Sequence, residues 1–181
     1  MISREQALEL LKKQGPDNYL WQHSLNSEAI MRALAPRFGG DAEAWGICGL
    51  LHDLDFPHTK DTPDQHGLKA KEMLSAIDLE EPYLYAIVAH NSEYSGHEPN
   101  APLDYALRCA ETITGLISAA ALMRPEGMQG MQVKSIKKKM KDKAFARAVS
   151  RERIMECEPL GLPLEEFIAI SIDAMSAMEQ Q

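Results

Sequence analysis

The chain is poor in cysteine and in long apolar runs, and each shortage excludes something. Only Cys48, Cys109 and Cys157 occur among 181 residues. They form no CxxC pair and no disulfide framework, which fits a reducing compartment. No stretch approaches the ~18 apolar residues of a membrane span. The N-terminus, MISREQALELLKKQG, carries no apolar run of signal-peptide type. Positive charge is also short: 19 Lys and Arg stand against 27 Asp and Glu, a formal charge of −8. Such a chain repels phosphate backbones at long range, so no general nucleic-acid binding is expected. Sustained period-2 alternation, internal repeats and low-complexity tracts are missing too, which removes β-rich and solenoid architectures. A soluble, cytoplasmic protein with no membrane partner is the expectation. At this length roughly 70% of the unfolded chain's surface can be buried, so no staple is needed.

Helical periodicity fills the sequence. Ser3-Arg4-Glu5-Gln6 has the form of a capping box, and Ala7, Leu10 and Leu11 recur at helix spacing until Gly15-Pro16. A second helix is predicted over about 17–37, with Leu20, His23, Ser27, Ile30 and Leu34 on one face. Asp41 caps a third, AEAWGICGLLHDL, which is apolar nearly all round and therefore central. Residues 56–64 read as a loop, followed by a helix carrying His66, Ala70, Met73 and Ile77 on one stripe. A helix over about 82–91 aligns Tyr83, Ile87 and His90, and Pro102 opens a long helix. Beyond Pro125 come a basic helix, VKSIKKKMKDKAFARA, and two more over about 151–160 and 164–178. The expected fold is all-α: one domain over 1–181, a core over about 17–125 and a C-terminal helical extension over about 126–181.

Four of the six histidines, His23, His52, His66 and His90, sit on predicted helices among core residues, and Asp53 follows His52 directly. Any one of them alone is most simply a buried imidazole with a single hydrogen bond. Together they pose a harder problem. Each neutral ring needs partners for both nitrogens, and an isolated buried carboxylate is costly. A shared divalent cation answers both demands. Imidazole with carboxylate suits Mn, Fe, Co, Ni or Zn, and Mg less readily.

His23, the doublet His52-Asp53, His66, His90 and a later acidic residue, in that order, resemble the HD-domain superfamily of metal-dependent phosphohydrolases. GLLHDLDF, HGLKAKEML, AIVAHN and the TGL-containing helix fall in the sequence the resemblance requires, over about residues 17–125. VKSIKKKMKDKAFAR is similar to the tail of the small stand-alone predicted HD hydrolases. The resemblance implies an HD-type helical bundle in which His23, His52 and Asp53 hold a first ion. Where two ions bind, Asp53 bridges them, and His66 and His90 hold the second. The family's last ligand is an Asp in an Ala-Asp motif, whereas the matching place here reads Ala110-Glu111. Glu111 is the preferred last ligand and Asp104 the competitor. Asn91 replaces the second consecutive His of cyclic-dinucleotide phosphodiesterases, and the GYP triplet is missing, which argues against cyclic-di-GMP.

The chemistry implied is hydrolysis of a phosphomonoester or phosphodiester, of a nucleotide or other small anionic metabolite, by metal-activated water. Asp53 and Asp55 are the catalytic-site carboxylates, Asp55 as a group behind the ligands. Lys137 and Lys138, from a basic run whose ordinary meaning is a solvated face, are the candidate phosphate contacts, with Arg124, Tyr94 and His97 beside them. Two rivals stay open: a di-iron oxygenase on the same ligands, and a non-catalytic metal- or nucleotide-sensing module.

Overall fold

The computed structural model describes residues 2–77 and 79–178, all helices, turns and loops, with no strand among the described residues. The first helix, α1 (Arg4–Lys13), begins at the foreseen capping box: Gln6 N donates to Ser3 Oγ at 3.3 Å, and Ser3 N donates to Gln6 Oε1 at 2.9 Å. Helix α2 (Asn18–Leu34) is capped by Asp17 and continues into a 3₁₀ turn, Ala35–Phe38. Helix α3 (Ala42–Leu51) starts where Asp41 Oδ1 accepts from Ala44 N at 2.8 Å. A one-turn helix, α4 (Phe56–Thr59), lies inside the predicted loop. Next come α5 (Leu68–Leu74), α6 (Glu81–Ala89), the short α7 (Ser92–Ser95) and the long α8 (Pro102–Leu122). The C-terminal part holds α9 (Val133–Lys141), α10 (Arg151–Met155) and α11 (Leu164–Met178). No helix is long and apolar enough to cross a membrane.

The core forms where α2 lies against α3, α8 and α11, while α8 also packs on α6, α9 and α10. Ile30, Leu34, Leu50, Leu51, Leu107, Ile113, Ile117 and Phe167 are fully buried there. Each such side chain contributes about 1.5–3 kcal/mol of burial. Two glycines set close approaches that matter below. A Cβ on Gly49 would lie 2.8 Å from the Ser27 carbonyl oxygen, so α3 meets α2 backbone to backbone. Gly67 has φ +83°, and a Cβ there would lie 2.9 Å from the Ile87 oxygen on α6.

Two expectations change. His66 lies in the turn before α5, not on a helix. The predicted 16-residue basic helix stops at Lys141. Asp142 ends it by accepting from Ala144 N at 3.0 Å and Phe145 N at 3.3 Å, a local bond that competes with helix continuation. The chain then folds back over α8. Arg151 pins that turn by donating to the carbonyls of Asp142, Phe145, Ala146 and Val149.

Candidate metal centre

The four histidines reach one point by two local devices. His52 and His90 are the C-caps of α3 and α6, where the last carbonyls of a helix lack an intrahelical partner. Each turns Nδ1 back to one of them: His52 donates to Gly49 O at 2.8 Å, and His90 to Ile87 O. His23, on α2, donates Nδ1–H to Thr114 Oγ1 at 2.8 Å. That hydroxyl spends its own proton on Glu111 O at 2.6 Å, so it must accept from the imidazole. His66 Nδ1 donates to Asp55 Oδ1 at 2.9 Å. All four rings therefore carry their anchoring hydrogen on Nδ1 and aim Nε2 inward, the orientation by which metal-binding imidazoles are held.

The Nε2 atoms gather round Asp53. Its Oδ2 lies 3.5 Å from His23, and its Oδ1 lies 3.4, 3.2 and 3.5 Å from His52, His66 and His90. The nitrogens also face each other in pairs, His23 to His52 at 3.1 Å and His66 to His90 at 3.0 Å. Gly49 and Gly67 are what let each pair close. Burial pushes His23 and His90 down to about 4, against the field of Asp53. Burial also opposes charge on His66, but Asp53 and Asp55 on its two sides win and raise it to about 10. Asp53, though buried, is held well below the usual carboxylate range by His52, His66 and His90.

This arrangement fits a cation. With Nδ1–H committed on both rings, His23 and His52 bring Nε2 to within 3.1 Å of each other beside the Asp53 carboxylate, so both nitrogens point at one place. Ligands at ~2.0–2.1 Å from one ion and at right angles to each other stand about 3 Å apart, as these nitrogens do. Ligand atoms of His23, His52 and Glu111, and of His52, Asp53 and His90, lie within 4.8 Å of one another in each set.

Other expected residues fall in distinct places. Glu111 stands at the mouth of the cluster, accepting from Thr112 Oγ1 and from Arg153 Nη1 at 3.5 Å, and burial raises its pKa. Asp104 is spent on the start of α8, accepting from Asn100 N at 2.9 Å and Ala101 N at 3.0 Å. Asp55 is fully buried and, beyond His66, accepts from Gly67 N at 2.8 Å and Ala70 N at 3.1 Å. It stands behind His66 and orients that ring through Nδ1. Asn91 braces the His66 turn, donating to Pro63 O at 2.7 Å and His66 O at 3.1 Å.

A cleft of about 490 Å³ opens over the cluster, lined by Tyr19, His23, Glu93, Tyr94, Glu111, Val149 and Arg153 among others. A second lobe, about 430 Å³, shares Tyr19 and His23 and adds Leu122 and Arg147. Tyr19 stacks against His23, with ring centroids 6.3 Å apart. Of the residues named as substrate candidates, Tyr94 lines this cleft. The others lie outside it. Lys137 and Lys138 line a separate groove between α9 and α11, where Lys137 pairs with Glu165. Arg124 donates to Gly127 O at 2.9 Å and Gln129 O at 2.6 Å. His97 binds its own loop at Ser95 O, 2.9 Å away. The cations of the cleft are Arg153 and Arg147, and sequence reasoning passed over the first. Its sole signal was a place beyond the basic run, which helical continuity could not connect to Glu111. A larger hollow, about 960 Å³ and lined by Arg4, Glu28, Arg32 and Glu43 among others, contains none of the histidines.

The family model for the HD domain matches residues 20–178, which include every histidine of the cluster, Asp53 and Glu111. No curated protein and no solved structure matches the chain. HD domains bind divalent metal ions, and many are metal-dependent phosphohydrolases. With four Nδ1-anchored imidazoles closed on the aspartate of its His-Asp doublet, in an all-helical bundle, the chain belongs to the HD-domain family.

Proposed function

We propose that the protein is a metal-dependent phosphohydrolase that cleaves a phosphomonoester or phosphodiester of a nucleotide or another small anionic metabolite. His23, His52, Asp53 and Glu111 would hold one divalent transition metal, and His66 and His90 a second with Asp53 between them. Such an ion, when bound, supplies Lewis acidity to the phosphoryl oxygen and lowers the pKa of a coordinated water.

The protein's own residues do the rest. Gly49, Ile87, Thr114 and Asp55 fix ring orientation through Nδ1, so no reorganisation is needed when a cation enters. Tyr94 offers an O–H donor from the cleft wall toward the leaving group. The paired, inward-facing Nε2 atoms of His23 and His52 beside the Asp53 carboxylate carry this reading.

The test is phosphate release from a panel of nucleotides and phosphodiesters. Stripped protein would be given back Mn, Fe, Co, Ni, Zn or Mg. Release restored by a transition metal, and less by Mg, is the expected result. No release with any metal, together with oxygen uptake by the iron-loaded protein, would replace it with the oxygenase reading.

A further inference from the structure

One cation of the cleft is already occupied by the protein itself. Arg153 presents its planar fork to Glu93: Nε donates to Oε1 at 3.0 Å and Nη2 to Oε2, while Nη1 reaches Glu111 Oε1 at 3.5 Å. This two-point geometry is the one by which arginine receives a carboxylate or a phosphate. Arg153, Glu93, Glu111 and His23 line one cleft, so the fork stands beside the metal ligands.

Glu93 is the more exposed partner of the pair, its side chain 47% open to water against 23% for Arg153, so a ligand can compete for it from the cleft. Its other contact is to Arg108 at 3.1 Å, and Arg108 does not depend on it. That buried guanidinium donates twice to Glu156, at 2.8 and 2.9 Å, and again to Ala89 O, His90 O and Ser92 Oγ. Arg108 thus stays paired if Glu93 leaves. Arg153 does not: without Glu93 it keeps only the long contact to Glu111. Glu93 itself remains ionised, since Arg153 and Arg108 outweigh its burial and hold it near pKa about 2. It is therefore a standing anion in the place where an anionic ligand would bind.

We infer that Arg153 is the oxyanion-receiving residue of the cleft, and that Glu93 is a built-in competitor which a phosphate group displaces. The inference rests on the reading of this cleft as a phosphate-ester site and names the residue that grips the phosphoryl group. It also gives the extended loop and α10 a task. The turn pinned by Arg151 carries the chain from α9 to Arg153 at the cleft wall.

Inorganic phosphate, titrated calorimetrically into manganese-loaded protein, is the probe. Arg153→Ala should weaken its binding about tenfold or more, the loss of charge-assisted hydrogen bonds. Arg153→Lys should recover part of it, because the charge remains and the fork does not. Glu93→Gln keeps an acceptor for Arg108 and removes the competing charge, so phosphate should bind several-fold tighter. Wild-type binding should weaken as salt rises. If Arg153→Ala does not fold, the other two variants carry the test, with melting curves checking each. Phosphate affinity unchanged by Arg153→Lys, or unchanged or weakened by Glu93→Gln, would overturn the inference and leave the pair a clamp between α7 and α10. Because binding is read without turnover, a protein that hydrolyses nothing can still pass. One that hydrolyses but ignores both substitutions overturns this inference alone.

Discussion

The two halves of the histidine cluster look alike and are set up differently. His23 and His52 are anchored by a hydroxyl and a backbone carbonyl, both neutral; His23 faces the open cleft beside Glu111, with the fully buried His52 behind it. His66 is anchored by the Asp55 carboxylate, with His90 behind it and Asn91 holding the turn. The consequence is a difference in protonation. His23 is neutral above about 4, whereas His66, between two carboxylates, keeps its proton up to about 10. A cation reaching His23 meets a lone pair. One reaching the second half must expel a proton. A carboxylate behind an imidazole strengthens it as a ligand once bound, at the cost of strengthening it as a base.

The largest effect should come from the residue the halves share. Asp53→Asn keeps the shape and hydrogen-bonding reach but removes the charge, and should eliminate metal retention in both halves. Elemental analysis of protein never exposed to a nickel column would show it. A variant retaining full metal would mean that the imidazoles suffice and that Asp53 is structural. Metal loss should also lower the melting temperature, since the ion stabilises only the folded state.

A smaller and one-sided effect is expected behind His66. Asp55→Asn should weaken the second half by about 10- to 100-fold and leave the first unchanged, the range for partners that orient a ligand. Competition titration with a chelator resolves the two affinities. Equal loss in both halves would erase the contrast drawn above.

The smallest effect is the pH slope, and its sign is fixed. His66 must lose its proton to bind, so second-half affinity should rise with pH between about 6 and 10 and level off above. His23 adds no such slope to the first half over that window, because its own proton is lost at about 4. Calorimetry at neutral pH in buffers of different ionisation enthalpy should count close to one proton released from His66 for the second ion.

Much of the frame was readable residue by residue. Helix existence, the Ser3 and Asp41 caps, the stop at Gly15-Pro16 and the all-helical class follow from short-range periodicity and local hydrogen bonding. So did the membership of the cluster, because four histidines and Asp53 in apolar surroundings demand partners wherever the chain goes. Helix ends were less readable. α3 and α6 each stop one residue before a histidine that serves as cap, and nothing local separates that from one more helical turn.

What only the tertiary structure decided is which distant groups meet. Thr114 fixes the tautomer of His23 from 91 residues away, and Arg153 reaches Glu111 across 42. The lysine run, for all its density, faces a groove on α11, while a single arginine past an Asp142-driven turn arrives at the cleft. Asp104 and Glu111 are equally acidic in sequence. One is consumed by the free amides at the start of α8 and the other stands two turns on, beside the imidazoles. Composition and periodicity set which residues are buried and in what elements. Convergence depends on backbone approach, here on the bare Cα atoms of Gly49 and Gly67, which no one-dimensional pattern measures.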